Sequence, residues 1–285
     1  MASGPGGVLV DGPRATLAAR AAPSAGAFPV RFPLVSAPPL APLTPPPRLL
    51  AIDSSTERLC LGLHAGPDRQ WTVEEAGGAQ ASARLLPLVQ QGLAALGLTL
   101  QTLDAIAFAR GPGAFTGLRT ACAVAQGLAF GAGKPVLALD SLLIVAEDAR
   151  IQAGVEEAFE VWVAMDARMD EVYAAAYRHG AQGWQTRRAP ALYTLEALQA
   201  AWQADPPTAV AGSALLAFAG RLPVEGVRTW PTEAQRAAAM LRLAGSAWRA
   251  GEAIDAADAL PLYLRDKVAL TTAEREARRS AEGAA

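Results

Sequence analysis

The order of apolar and polar positions predicts where the folded part of the chain begins. Apolar runs of strand length occupy residues 49–52 and 59–63, on either side of a polar turn at 53–57. Residues 70–75 form a third stretch with strand character. Short apolar runs separated by polar turns are typical of antiparallel strands. The pattern therefore predicts a three-stranded meander that starts at Arg48.

A helix is predicted over residues 82–96 by the spacing of its apolar side chains. These side chains cover an arc of roughly 160° on a helical wheel, whereas a helix with one face on a sheet needs a stripe of only ~100°. The extra width indicates that one flank contacts something beyond the helix's own sheet. Pro87 predicts that the helix begins near it or is kinked there. The side chains expected to form a partner interface on this helix are Leu85, Leu88, Val89 and Leu93.

A glycine-rich turn joins a short apolar strand, predicted at 103–109, to a second helix. Three glycines and one proline within seven positions predict a positive φ or a tight bend. Such a backbone would let another group approach closely. The residues of this turn that we single out are Gly111, Pro112, Gly113, Phe115, Thr116, Gly117 and Arg119.

The helix after the glycine turn carries a stripe of mostly small side chains at helical spacing. Small residues on a helix let another backbone approach closely, so we expect this stripe to belong to the same partner interface. Gly131 and Gly133 are expected to end the helix before a strand at 135–139. The stripe consists of Leu118, Ala121, Cys122, Ala125 and Leu128.

The glycine turn first suggests a nucleotide cradle, but its neighbours argue against one. Leu118 and Arg119 follow Gly117 where a Walker loop requires Lys and Ser or Thr, and the glycine spacing is not that of the dinucleotide fingerprint. We therefore interpret the glycines as serving backbone geometry at the corner where the second helix starts. Arg119 is expected to anchor a carboxylate or a loop of a partner.

An internal comparison predicts a duplicated architecture. Residues 51–60 align without a gap with residues 164–173, and both stretches have the order strand, Asp, turn, acid, strand. Two facing lobes built from such units would form a duplicated α/β fold. The alternative is a coincidence between two short hairpins, because only two of the ten aligned positions are identical. Further along, helices are predicted at 194–203 and 232–250, with a strand and turn at 209–213.

The two Asp-bearing turns resemble those of the actin, Hsp70 and sugar-kinase superfamily, which has a ribonuclease H-like fold of two lobes. In that superfamily the turns hold the phosphates and Mg²⁺ of ATP. Glycines would let backbone N–H groups reach phosphate oxygens, and neither turn contains a glycine here. We therefore expect that this chain alone does not bind ATP tightly. The turn residues are Asp53, Ser54, Ser55 and Thr56 in the first turn and Asp166, Arg168 and Asp170 in the second.

Composition and charge narrow the chemistry further. The 285 residues, 52% of them hydrophobic, suffice for one large or two moderate domains. With 25 basic and 27 acidic residues and no polybasic run, a role on RNA would have to be shared with a partner. Cys60 and Cys122 show no pairing pattern and fit a reducing compartment. The two histidines lack metal-ligand spacing, and the turn aspartates are either general acids and bases or turn caps.

The two ends of the chain differ from its middle. Residues 1–47 contain eleven of the 21 prolines and no periodic apolar pattern, so we expect disorder there. A transit peptide and an artefact of start-codon choice are the alternatives, and no targeting signal is assumed. The first lobe is expected at 48–155, a degenerate second lobe at 156–268 and a solvated charged tail at 269–285. The apolar runs fall short of the ~20 residues that a membrane-spanning helix needs.

Six motifs resemble, in order along the chain, the bacterial TsaB family, whose YeaZ-like members were formerly described as glycoprotease-like. The motif GPG-x-FTG-x-R is specific to this family. The related catalytic subunit TsaD also has a GPG turn, but it carries metal-binding histidines that this chain lacks. Ala81 stands where TsaB sequences often have a histidine. The motifs occupy residues 50–56, 84–87, 110–119, 125–129, 165–173 and 262–265.

The TsaB resemblance implies a non-catalytic subunit of a tRNA-modifying complex in the cytoplasm. Members pair with a TsaD-type catalytic subunit and a TsaE-type P-loop ATPase to transfer a threonylcarbamoyl group to the adenosine beside the anticodon. The resemblance places the subunit contact on the first-lobe helices, assigns ATP and metal to the partner subunits, and implies contact with tRNA only through the complex and a homodimer when the chain is alone. The competing hypothesis is an enzyme acting through Asp53 and Asp166, either ATP-dependent or a glycoprotease-like hydrolase.

Overall fold

The computed structural model describes residues 8–9, 46–66, 68–78 and 81–265. Six strands form the first sheet: β1 Val8–Leu9, β2 Leu49–Asp53, β3 Arg58–His64, β4 Gln70–Ala76, β5 Ala105–Gly111 and β6 Val136–Asp140. Their order across the sheet is β1-β4-β3-β2-β5-β6. β2, β3 and β4 are antiparallel neighbours, whereas β5 runs parallel to β2 and β6 parallel to β5. The predicted meander is therefore confirmed.

The second sheet repeats the topology of the five first-sheet strands β4, β3, β2, β5 and β6, whereas β1 has no counterpart among the described strands. Its strands are β7 Phe159–Asp166, β8 Glu171–Gly180, β9 Gly183–Thr194, β10 Ala209–Ala211 and β11 Arg228–Trp230. Their order is β11-β10-β7-β8-β9, with β7, β8 and β9 antiparallel and β10 and β11 parallel to β7. Asp53 and Asp166 end the corresponding strands β2 and β7. The repeated order confirms the predicted duplication and gives the two-lobe α/β fold of the actin-like and sugar-kinase type.

Six α-helices pack on these sheets in the described part of the chain. They are α1 Ala81–Leu96, α2 Phe115–Ala132, α3 Ser141–Ala153, α4 Leu195–Ala204, α5 Ala214–Ala217 and α6 Arg236–Arg249. Single 3-10 turns lie at Leu100–Thr102 and Ala256–Asp258. Because α1 passes through Pro87, the expectation that the helix begins near this proline is wrong. α2 ends at Ala132 and is capped by the left-handed Gly133, as predicted, whereas Gly131 lies inside the helix.

The helices cover the sheets in layers that bring the two lobes together. One face of the first sheet packs against α1 and α2, and its opposite face packs against α3 and α6. α3 also packs on the second sheet, whose other face is covered by α4. α3 therefore lies between the two sheets, with α6 beside it.

The sequence pattern does not predict α3, because this helix is buried on all sides and has no polar face to create a helical period. Its charged residues pair inside the protein, as Arg150 does with Glu147 at 2.8 Å. Asp148 accepts the N–H groups of Ala234 and Gln235. These bonds hold the segment before α6 in a non-helical conformation, so α6 begins four residues later than predicted.

The side chains predicted to form the partner interface belong mainly to the chain's own core, which corrects that prediction. α1 lies very close to the sheet at Gly92, where a Cβ would be 2.5 Å from the ring of Trp71. This depth buries the wide apolar arc of α1, and α2 turns its small-residue stripe onto the same sheet face. Leu128 is only partly buried there. The buried members are Leu85, Leu88, Val89, Leu93, Leu118, Ala121, Cys122 and Ala125.

The structure describes only a small part of the two chain ends. Val8–Leu9 form β1 on the edge of β4, so the expectation of disorder is wrong for these two residues, whose backbone completes that edge. Residues 10–45 and the predicted charged tail lie outside the described residues. Among the residues that the structure describes, no helix has the length and apolar character to cross a membrane.

Candidate functional site

A cleft of about 640 Å³ opens between the two lobes. Its lining includes the first Asp-bearing turn at 55–58, the glycine turn at 112–115 and the second Asp-bearing turn at 165–168. The start of α6 and residues 262–265 complete the lining. The fold therefore brings together the three turns that the sequence singles out.

Asp53 is bonded to a buried arginine at the inner end of the first turn. Its Oδ2 accepts a hydrogen bond from Nε of Arg236 at 2.6 Å and lies 2.6 Å from Nη2 of the same guanidinium, and its Oδ1 accepts the N–H of Ser55 at 2.6 Å. Both charged side chains are 1% exposed. Burial alone would lower the pKa of Arg236, but the charges of Asp53 and Glu233 outweigh it and raise this pKa above its ordinary value. Arg236 therefore remains a cation at physiological pH.

Asp166 is held by an arginine of its own turn. Its Oδ1 accepts the N–H of Arg168 at 2.8 Å, and its Oδ2 lies 3.3 Å from Nη1 of the same arginine. The Arg168 guanidinium also donates to Glu57 of the first turn at 2.8 Å. This contact joins the rims of the two lobes, although both side chains are exposed and the pair alone adds little stability.

The second turn adopts a left-handed backbone without glycine. Arg168, Met169 and Asp170 have φ values of 64°, 58° and 57°. Side chains therefore project where a phosphate-binding turn would present bare backbone, as the sequence indicates. Asp170 bonds to Arg221 at 3.1 Å and does not line the cleft.

The glycine turn packs directly on the backbone of the first Asp-bearing turn. A Cβ on Gly117 would lie 1.7 Å from the carbonyl oxygen of Ser54, and a Cβ on Gly113 would lie 2.7 Å from that of Ser55. The Ser54 hydroxyl donates to the Gly117 carbonyl at 2.8 Å, and the N–H of Ala114 donates to the Ser55 carbonyl at 2.7 Å. Protein backbone thus fills the space next to these glycines. The packing supports the interpretation that they serve backbone geometry.

Arg119 contacts two aromatic rings of its own chain. Its Nε donates to the Tyr263 hydroxyl at 3.1 Å, and its guanidinium lies 3.9 Å from the centroid of the Phe115 ring. The two aromatic rings are 5.0 Å apart. Tyr263, in the C-terminal part of the chain, is therefore a hydrogen-bond partner of Arg119.

Residues 254–265, which we call the C-terminal strap, run from the first lobe to the second. The strap begins with a bridge to β6. The N–H of Leu262 then donates to the Arg110 carbonyl at 2.6 Å, and Nη2 of Arg265 donates to the Ala167 carbonyl at 3.0 Å. The strap therefore ties the glycine turn to the second Asp-bearing turn.

Sequence reasoning misses two arginines of this site. The motif at 262–265 is a signal for Arg265, but Arg236 has none, since its partner Asp53 lies 183 positions away.

Gly111 is required where the strap crosses the glycine turn, because its φ is 123° and a Cβ would lie 2.5 Å from the Leu262 carbonyl oxygen. These long-range contacts follow from the fold and not from local spacing.

A buried hydrogen bond between Tyr177 and Asp140 also joins the lobes. The Tyr177 hydroxyl on β8 donates to Oδ2 of Asp140, the residue that ends β6 and caps α3, at 2.6 Å. Burial raises the pKa of Tyr177, and the charge of Asp140 raises it further. Burial also raises the pKa of Asp140.

We expect the Tyr177→Phe variant to lose part of the protein's sensitivity to alkali. An unfolded tyrosine ionises near pH 10, whereas the folded chain keeps Tyr177 protonated, so this residue lowers stability by about 1.4 kcal/mol per pH unit above pH ~10. Phenylalanine cannot ionise, and this part of the slope should disappear. Urea unfolding at a series of pH values between about 9 and 11 measures it. Equal slopes in both proteins would contradict the raised pKa.

The donor groups at the cleft do not fit the Mg²⁺–ATP complex that the superfamily resemblance implies. Asp53 and Asp166 have their carboxylate oxygens bonded to arginines and to backbone N–H groups. Across the described ranges, no cluster of three or more His, Cys, Asp or Glu side chains could hold a metal ion. His64 and His179 contact Gln70 and the Glu157 carbonyl instead.

Two lobes of the same topology, facing one cleft with an Asp-bearing turn each, define a duplicated α/β protein of the actin-like class. Comparison with known proteins identifies the family within this class. "tRNA threonylcarbamoyladenosine biosynthesis protein TsaB" of Escherichia coli (strain K12) is 33% identical over 229 residues, which is 78% of this chain and 96% of that protein. The chain belongs to the TsaB family.

Other comparisons agree with this assignment. The TsaB protein of Haemophilus influenzae is 42% identical over 125 residues, 44% of this chain, and the chain spans about half the length of that relative at 51%. A family model described as "TsaD: tRNA N6-adenosine threonylcarbamoyltransferase" matches residues 74–220. The solved structure of YeaZ from Pseudomonas aeruginosa is 39% identical with a TM-score of 0.68, covering 76% of this chain and all of that one.

Proposed function

We propose that this chain is a non-catalytic subunit in the synthesis of N6-threonylcarbamoyladenosine in tRNA. The observation that carries the proposal is family membership, since a relative aligned over 96% of its length is named for this pathway. The bonding of Asp53 to the buried Arg236 supports the non-catalytic part, because this carboxylate is 1% exposed and its charge is already paired. The chemistry, the ATP and the metal then belong to the partner subunits, a TsaD-type catalytic subunit and a TsaE-type P-loop ATPase.

The outer helix face, meaning the sides of α1 and α2 that point away from the first sheet, is our proposed contact with the TsaD-type subunit. It exposes Leu86 on α1 at 46% and Phe130 on α2 at 62%. Exposed apolar side chains next to small residues allow close packing of a partner helix. The contact thus uses the same two helices that the sequence indicates, but their opposite sides. The small exposed residues are Ala83, Ala94, Ala95, Ala123, Gly127 and Gly131.

We expect the Phe130→Glu variant to bind the TsaD-type subunit at least roughly 30-fold more weakly, the effect of losing one apolar anchor residue. The charge would have to be buried against the partner, while the isolated chain keeps its fold because Phe130 is already exposed. Calorimetric titration of the purified catalytic subunit measures the affinity, and formation of the modified nucleoside in tRNA reports the activity.

Leu216→Glu is the matched control, since this leucine is 60% exposed on the second lobe. It should leave binding unchanged. Binding of the Phe130→Glu variant at the affinity of the unmodified chain would contradict the proposed contact.

The remaining parts of the proposal concern the isolated chain, the contact with tRNA and the location of the complex. Without its partner, the chain is proposed to pair two copies through the outer helix face, so Phe130→Glu should also shift the isolated protein toward a monomer in light scattering. The formal charge of −2 and the lack of a polybasic run support contact with tRNA only through the complex. We place this complex in the cytoplasm, where its tRNA substrate is found.

A further inference from the structure

We propose that Arg236 is a built-in cation that occupies the place of a divalent metal ion at Asp53 and thereby closes the cleft to a metal–nucleotide complex. The inference concerns the cleft of the isolated chain. It does not depend on contact with a TsaD-type subunit.

The first observation is that the guanidinium of Arg236 lies between two carboxylates. Nε and Nη2 each lie 2.6 Å from Oδ2 of Asp53, and Nη1 bonds to Oε2 of Glu233. Carboxylate oxygens are also the ligands that Mg²⁺ and Mn²⁺ prefer. Arg236 and Glu233 both line the cleft, so a smaller side chain at 236 would leave two carboxylates beside a space open to ions.

The second observation is the excess of acidic groups around this guanidinium. Glu74 accepts the N–H of Ala237 at 2.9 Å, and its other oxygen pairs with Arg58 at 2.7 Å. Three carboxylates and two guanidinium groups therefore converge at the start of α6. Loss of the Arg236 charge would leave Asp53 and Glu233 without the cation that they share, and the uncompensated negative charge attracts a divalent cation.

The third observation is that the carboxylate of the second Asp-bearing turn is also bonded to an arginine. Arg168 binds the carboxylate of Asp166, the counterpart of Asp53 in the second lobe. Ser54 and Ser55 fill the space next to Gly117 and Gly113 with backbone. Arginines and backbone of this chain thus make the contacts that hold the two turns in place, with no ion required.

The first experiment measures Mn²⁺ binding to the isolated full-length chain by the loss of the free Mn²⁺ signal in electron paramagnetic resonance. The Arg236→Ser variant should take up a single Mn²⁺ per chain at submillimolar metal, and free guanidinium should compete for the site. Adding Asp53→Asn to this variant should abolish the uptake. The unmodified chain and Arg242→Ser, an exposed change on the same helix, should show none.

The second experiment keeps the proposal testable if Arg236→Ser folds poorly. Arg236→Gln leaves Asp53 buried without its cation and should lower the Tm by roughly 6–20 °C. The double variant Asp53→Asn with Arg236→Gln removes both charges and should recover at least half of that loss. Recovery of folded protein in circular dichroism counts as the same result if the single variant is unfolded.

Three results would overturn the inference. Mn²⁺ could bind the unmodified chain as tightly as the Arg236→Ser variant, or a folded Arg236→Ser variant could take up none. The double variant could also be no more stable than Arg236→Gln. If Mn²⁺ uptake and the Tm values are as expected but the chain does not bind a TsaD-type subunit, only the proposed function is refuted.

Discussion

The Gly117→Ala variant is expected to lose at least about 3 kcal/mol of unfolding free energy, because the added methyl group has no room and the part-buried hydrogen bond between Ser54 and Gly117 is strained with it. The new Cβ would lie 1.7 Å from the carbonyl oxygen of Ser54 and 2.7 Å from its carbonyl carbon. These are backbone atoms, so the clash cannot be relieved by a side-chain rotation. α2 would have to move off the first Asp-bearing turn and break the bond from Ser54. Urea unfolding followed by circular dichroism measures the loss.

Gly127→Ala and Gly131→Ala are matched controls on the same helix. Nothing lies within 4 Å of a Cβ at either position. Each should stabilise the chain by roughly 0.5–1 kcal/mol, since alanine favours a helix over glycine. If Gly117 had no role in packing, Gly117→Ala should show the same gain in stability. A gain at all three positions would contradict the packing of the glycine turn on the first Asp-bearing turn.

The Leu88→Glu variant is expected to lose at least about 4 kcal/mol of unfolding free energy, through both a core defect and a buried charge. Leu88 is 1% exposed and packs in the cluster that joins α1 to the first sheet. Folded domains have only about 5–15 kcal/mol of stability in total. Most of the protein should therefore be unfolded near physiological temperature. Thermal unfolding and the yield of soluble protein measure this effect.

Leu86→Glu supplies the matched comparison two positions earlier in α1. This leucine is 46% exposed, so the charge stays in water and the stability should change by less than about 1 kcal/mol. The pair separates the two sides of the helix. Leu88→Glu tests the core, and Leu86→Glu tests the outer helix face without unfolding the chain. Equal stability of the two variants would contradict the orientation of α1.

Strands β2 to β6 of the first sheet and the duplication are readable from the sequence because they rest on local patterns. Apolar runs around a polar turn give the hairpin of β2 and β3, and the same pattern with an Asp recurs at β7 and β8. α3 is missed because burial on all sides removes its helical period, although Asp140 and Gly154 cap its two ends. The sequence contains the residues that cap both ends of α3, but the residues between them lack the alternation of apolar and polar positions that predicts a helix.

Helices α1 and α2 show why a helix can be predicted correctly while its partner interface is predicted on the wrong side. The arc on α1 and the small stripe on α2 are real apolar surfaces, and the sequence cannot distinguish a surface buried in the same chain from one buried against another chain. Both are covered by the first sheet, since Gly92 allows α1 to lie deep on β3 and β4. The side chains left exposed, Leu86 and Phe130, stand out only once the sheet is in place.

The sequence by itself determined strands β2 to β8 and β10, helices α1, α2, α4 and α6, the two Asp-bearing turns, the glycine corner and the motifs of the TsaB family. Each of these depends on residues close together in the chain, where backbone geometry sets the period. Only the tertiary structure decided which group each charged side chain meets. Asp53 and Arg236 are 183 positions apart, and their pairing exists because packing of α6 on the first sheet places the guanidinium at the end of β2. A long-range ion pair has no local period, so the folded chain alone reveals it.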